Sequence, residues 1–149
     1  MIQKSELRKI LIEKRKAIPQ HRREEAARLA FEALKESGCI LSFSPRGSEI
    51  DLKPLNEYLQ ARGRLFIVPY EVGDTLQGVP LSEIDCILVP GLGFDRNHFR
   101  IGFGKGFYDR FLPTVQGIRT IGIGFKEQLH QELLPIDPWD VPTQELLLF

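Results

Sequence analysis

Five short apolar runs constrain this chain most: CILSFS at 39–44, RLFIVP at 64–69, DCILVP at 85–90, GIRTIGIGF at 117–125 and LLLF at the C-terminus. Each reads as a strand. Helical stretches stand before or between several of them. Residues 3–18 put Leu7, Ile10, Leu11 and Ile18 on a helical period, with Pro19 ending it. Residues 21–37 form an alanine-rich second helix that stops at Gly38. Asp51 reads as the cap of a third, over 52–62, with Pro54 in its first turn and Gly63 past its end. Apolar strands alternating with helices predict an α/β fold with a mostly parallel, buried sheet. A chain of 149 residues suits one domain, 1–149, around one core. In open sheets of this kind the ligand lies beyond the carboxyl ends of the strands. Three segments occupy that position: Ser44 to Glu49, Pro69-Tyr70, and residues 90–109.

The last of these is the most informative. PGLGFDRNHFRIGFGKGFYDRF spaces glycines at Gly102, Gly104 and Gly106, with Arg100 ahead, Lys105 between and Tyr108-Asp109-Arg110 behind. Glycine admits close approach to the backbone, and successive N–H groups in such a turn make an anion-binding concavity. Arginine suits phosphate as a fork and lysine as a point charge. The stretch therefore reads as a phosphate cradle. It is not a Walker loop, because Gly106 follows Lys105 where Ser or Thr is needed. It is not the dinucleotide fingerprint, because Phe107 stands where the last glycine belongs. Asp109 is either a Mg²⁺ ligand, the partner of Arg100 or Arg110, or a helix N-terminal carboxylate. Asp140 is a weaker metal candidate with a turn role before Pro142. Glu49 is a ligand candidate at a strand end.

Composition narrows the function class. Formal net charge is zero, so nothing global favours nucleic acid or an anionic membrane. Residues 1–36 carry +4 and residues 37–149 carry −4, as expected of solvated helix faces with a few cations free to reach phosphate. Cys39 and Cys86 sit in apolar runs and read as buried free thiols. No apolar run is long enough to span a membrane, and a cytoplasmic location is expected. His21, His98 and His130 share no metal spacing, and no nucleophile triad is visible.

These residues carry a likeness. LVPGLGFDRNHFRIGFGKGFYDRFL at 88–112 resembles the signature of the 5-formyltetrahydrofolate cyclo-ligase family. Weaker matches follow in order: Lys4-Ser5-Glu6-Leu7-Arg8, Glu49-Ile50-Asp51, Val68-Pro69, then Gly124-Phe125 with Gln128, Pro135 and Asp140-Val141-Pro142. The segment Tyr70 to Asp85, sixteen residues, is shorter than the family's. His98 stands where the pattern has glycine, and Leu52 where it has threonine.

The resemblance implies a three-layer α/β/α, Rossmann-like fold of the NagB/RpiA/CoA-transferase type. It implies a ligase of one-carbon metabolism that uses ATP and Mg²⁺ to convert 5-formyltetrahydrofolate to 5,10-methenyltetrahydrofolate. By the same resemblance, Lys4 and Arg8 contact ATP phosphates, and the nucleotide is wrapped by Arg100, Ile101, Gly102, Phe103, Gly104, Lys105, Gly106, Phe107 and Tyr108. Arg100, Lys105 and Tyr108 serve catalysis, Ser44 and Glu49 face the folate, and Asp109 and Asp140 serve the metal. The implied partners are the small-molecule folate and ATP, with neither nucleic acid nor membrane, in a monomer. The alternative is a nucleotide- or folate-binding module of the same fold without turnover.

Overall fold

The computed structural model describes residues 2–69, 76 and 78–149. Tyr70, named above as a strand-end candidate, and most of the short segment that follows it lie outside the described residues. Each apolar run becomes a strand: β1 (Ile40–Ser42), β2 (Leu65–Ile67), β3 (Cys86–Val89), β6 (Arg119–Gly124) and β7 (Glu145–Leu148). They pair in the order β2-β1-β3-β6-β7, parallel throughout. β1 and β3 are wholly buried, which explains why their sequences do not alternate. A further pair, β4 (Gly93–Phe94) and β5 (Arg100–Ile101), forms a small antiparallel hairpin outside the sheet.

The helices are α1 (Lys4–Lys16), α2 (Gln20–Leu34), α3 (Lys53–Ala61) and the short α4 (Phe107–Phe111). From β1 the chain moves outward to β2 through α3, then reverses past β1 to β3 and continues through α4 to β6. Right-handed crossovers in opposite directions put α3 and α4 on opposite faces of the sheet. The order reverses between β1 and β3, so the crevice beyond their carboxyl ends is the topological switch point.

Two apolar clusters hold this together. The larger packs both faces of the sheet, with Phe43, Leu52, Leu55, Ile87, Leu88 and Phe125 buried. The smaller joins Leu7 and Leu11 of α1 to Leu92, Ile101 and Leu134. Some expectations shift. Ile10 is exposed, and the third inward position on the α1 stripe is Arg15. α2 ends at Leu34, before Gly38. Leu52, and not Asp51, occupies the cap position of α3, although Asp51 Oδ1 still accepts the Lys53 N–H at 2.9 Å. Cys86 is buried but Cys39 is only partly so. Burial pushes the Cys86 thiol up to about 11.

Candidate active site

The crevice begins at the elbow that follows β3. Proline at position 90 ends the strand, and Gly91 turns the chain toward the hairpin. The three carbonyls of this elbow are all taken by long side chains. Arg100 Nε donates to Pro90 O at 2.7 Å. Arg15 Nη1 donates to Gly91 O at 3.0 Å. Gln128 Nε2 donates to Gly91 O at 2.8 Å and to Leu92 O at 3.0 Å. A buried backbone group without a partner is costly, so these bonds hold the elbow in one shape.

The hairpin turn is equally defined. Asp95 is buried, and its carboxylate accepts the N–H groups of Asn97 at 2.9 Å, Phe99 at 3.1 Å and Leu134 at 2.9 Å. His98 closes the turn at φ 69°, a left-handed conformation that a side chain adopts at a cost. Glycine, which the family resemblance would place here, adopts that conformation without this cost. Here the imidazole Nδ1 lies 3.1 Å from Thr143 O, and the His98 carbonyl accepts the Thr143 N–H at 3.0 Å.

Past β5 the chain enters the glycine loop. Gly104 has φ 96°, and a Cβ there would sit 3.1 Å from the Arg8 guanidinium carbon. The loop thus lets Arg8 lie against its backbone, and Arg8 Nε donates to Gly102 O at 2.9 Å.

The loop separates two cavities. The first, of about 230 Å³, has a cationic wall of Lys4, Arg8 and Arg100 facing Gly102, Gly104 and Gly106. Ile101, Phe103, Asp109, Asp137, Trp139 and Asp140 complete it. The second, of about 150 Å³, lies at the switch point. It is mostly apolar, lined by Pro90, Gly91, Phe103, Phe107 and Tyr108, with Arg46, Glu49, Arg100 and Lys105 as its charged members. Arg100, Gly102 and Phe103 line both.

Tertiary structure therefore divides the residues that sequence reasoning grouped around one ligand. Lys4, Arg8 and the first half of the loop surround one cavity. Lys105, Phe107 and Tyr108 line the other, beside Glu49. Ser44 joins neither: it is exposed and lines a separate groove of about 380 Å³ with Lys53 and Asn56. Three lining or supporting residues lay outside the segments and positions expected from sequence, Arg15, Asp137 and Trp139, while Arg46 falls within the segment Ser44 to Glu49. For Arg15 the signal was present, because an arginine at the i+8 position of the Leu7, Leu11 stripe has to be buried with partners. Its Nε also donates to Ser48 Oγ at 2.8 Å, and its guanidinium lies 5.7 Å from the Phe103 ring centre.

Electrostatics follow from these placements. Arg100 is almost enclosed, with Asp109 3.8 Å from its Nη1 and the Tyr108 ring 5.1 Å away. Burial raises the Asp109 carboxyl, with Arg100 opposing. Burial likewise raises Glu49, against the Arg46 N–H at 2.7 Å and the charges of Arg15, Arg46 and Arg100. Lys4 Nζ lies 2.7 Å from Asp137 and 2.6 Å from Asp140. Burial alone would lower its ammonium, but the two carboxylates hold it above its usual range. Among the described residues no three His, Cys, Asp or Glu gather in a metal-binding group. Asp109 and Asp140 nevertheless share the phosphate-suited cavity, and Mg²⁺ is commonly held by one or two carboxylates plus substrate phosphates. The donor set fits that ion.

The sequence pattern of the 5-formyltetrahydrofolate cyclo-ligase family matches residues 73–148. A 5-formyltetrahydrofolate cyclo-ligase of Mycolicibacterium smegmatis is 30% identical along 97% of this chain and 92% of its own length. The chain belongs to the 5-formyltetrahydrofolate cyclo-ligase family. The Haemophilus influenzae cyclo-ligase is 41% identical, over 47% of this chain and 38% of its own length. The aligned part likewise spans 36% and 50% of the Mycoplasma pneumoniae and Escherichia coli cyclo-ligases, half or less of these relatives. The solved 5,10-methenyltetrahydrofolate synthetase of Aquifex aeolicus superposes with a TM-score of 0.80 at 28% identity, over 97% of this chain and 89% of its own. That of Mycoplasma pneumoniae gives 0.78 at 26%, over 97% and 98%. These confirm the mostly parallel α/β fold. The Mycolicibacterium alignment runs over 181 positions against 149 residues here, so this cyclo-ligase family member has gaps of at least 32 positions within it.

Proposed function

We propose that this chain converts 5-formyltetrahydrofolate to 5,10-methenyltetrahydrofolate at the expense of ATP. One observation carries the reading: a cationic cavity with two carboxylates and an apolar cavity at the switch point share Arg100, Gly102 and Phe103 as a common wall. A phosphoryl group bound in the first is then one side chain away from an acceptor in the second. The relatives' names supply the reaction, and the proposed working unit is a monomer.

In this reading Lys4, Arg8 and the N–H groups of the glycine loop hold the triphosphate. Asp109 and Asp140 hold Mg²⁺, which when bound neutralises phosphate charge. Tyr108 and Phe107 pack on the pterin ring, and Glu49 meets its polar edge. The formyl oxygen attacks the terminal phosphorus and ADP leaves. N10 then attacks the imidoyl phosphate carbon and gives up its proton, and the C–O bond breaks to release phosphate. Arg100, between the cavities, faces the charge that develops on the transferring group. Phosphoryl transfer of this kind depends on positioning and charge neutralisation rather than on a protein nucleophile.

The test is direct. The protein mixed with MgATP and 5-formyltetrahydrofolate develops the near-ultraviolet absorbance of the methenyl product. Folded protein at high concentration that yields no chromophore would sink the proposal. A second reading, binding without turnover, is favoured by the apolar cavity's volume of about 150 Å³. Small-molecule sites commonly run to roughly 300–1,000 Å³. Calorimetric binding of ATP with no release of ADP in the presence of the folate would support it.

A further inference from the structure

Trp139 is the only tryptophan of the chain, and it is 68% exposed. It nonetheless lines the cationic cavity, whose other walls are mainly charged side chains and loop backbone. Among the described residues its indole makes no hydrogen bond and no ring contact. An exposed aromatic ring at the lip of a pocket offers a flat face on which a planar ligand can stack.

The turn that carries it is held at both ends. Asp140 N–H donates to Asp137 O at 3.0 Å, which makes Asp137–Asp140 a β-turn with Pro138 second and Trp139 third. The Asp140 carboxylate accepts the Asp137 N–H at 2.7 Å and so locks the turn from inside. Lys4 then pins both ends, at 2.7 Å from Asp137 and 2.6 Å from Asp140. The turn backbone is thus held beside the cationic cavity, and the exposed indole stands at its mouth.

We infer that Trp139 is the platform on which the purine base of the nucleotide stacks, so that the phosphates enter the cavity while the base stays at its mouth. This rests on the ATP-dependent reading above, and it adds a base-recognition residue outside the glycine loop. Phe103, the other aromatic ring of this cavity, also lines the acceptor cavity and lies against Arg15, so it belongs to the partition instead.

A lone tryptophan reports on itself. Titration with MgATP quenches the emission of the intact protein saturably, while inorganic triphosphate with Mg²⁺ binds by calorimetry and leaves the emission unchanged. Trp139→Leu weakens MgATP binding by about 5- to 150-fold, the range that one stacked base contributes, and leaves triphosphate affinity unaltered. Trp139→Phe recovers part of the loss. MgATP that binds by calorimetry with silent Trp139 emission would remove the platform and leave the proposed function standing. So would a Trp139→Leu variant that loses ATP and triphosphate affinity equally. No heat with either ligand would remove the nucleotide reading itself, and the platform with it.

Discussion

Glu49, like Asp109, is a carboxyl of the site that burial raises. Its burial raises the folded carboxyl above the ordinary value of 4.5, despite the guanidinium groups around it. The unfolded chain therefore ionises first. Relative to a neutral side chain, Glu49 is without penalty below that ordinary value and loses stability as pH rises through the raised range. Glu49→Gln is expected to gain stability over the parent as pH rises above the ordinary carboxyl value of 4.5, measured by urea unfolding at each pH. A constant difference as pH rises would remove this account. Arg100 and Lys105 separate on the same scale. Lys105 is exposed, so Lys105→Ala is expected to lower turnover with an unchanged thermal midpoint. The Arg100 side chain is only 8% exposed and holds Pro90 O, so Arg100→Ala should lower both, turnover by roughly 10²-fold. Calorimetric melting beside the chromophore assay distinguishes the two.

Among the elements, β6 explains how the hairpin reaches the sheet. Its Ile121 and Ile123 are buried in the main core, while Gly122 and Gly124 leave room on the opposite face. Phe94 of β4 fills that room: a Cβ on Gly122 would lie 2.9 Å from its ring and 2.7 Å from Leu146. The alternation Ile-Gly-Ile-Gly is therefore a docking surface for the hairpin that carries Arg100. Gly122→Ala is expected to destabilise by about 1–3 kcal/mol, through overpacking of rigid neighbours. A denaturant midpoint equal to the parent's would show that Phe94 has space to move. The glycines of this strand are plain in the sequence, but what they make room for is a residue 28 positions away and visible only in the fold.

For the whole molecule, the uneven charge resolves into contacts between its two ends. Lys4 of α1 meets Asp137 and Asp140, and Arg22 of α2 meets Glu127. Basic N-terminal helices thus pair with acidic residues of the C-terminal part, Lys4 at the cationic cavity and Arg22 away from both cavities. The small apolar cluster of Leu7, Leu11, Leu92, Ile101 and Leu134 sets how α1 sits, and with it Lys4 and Arg8. Leu11→Ala removes side-chain volume packed against Gly93. It is expected to cost about 2–5 kcal/mol and to weaken ATP binding as well, because α1 loses its seat on the hairpin. Urea unfolding and calorimetry measure the two effects. Normal ATP binding in a destabilised variant would detach the cationic wall from this cluster.

The five strands, the main helices and the phosphate-suited loop were legible from residue order alone. Apolar runs, helical periods and glycine spacing are local properties, and parallel burial follows from strands that are apolar on both faces. The family likeness also lay in a contiguous stretch. Tertiary structure decided what stands opposite what. Lys4 finds its carboxylates 133 and 136 residues away, and Arg15 finds Gly91 76 residues away. The crossover reversal between β1 and β3 brings Glu49 to Tyr108, and the loop becomes a partition between two cavities. No local pattern encodes these pairings, because they depend on strand order and on which buried polar groups need partners once the sheet has closed.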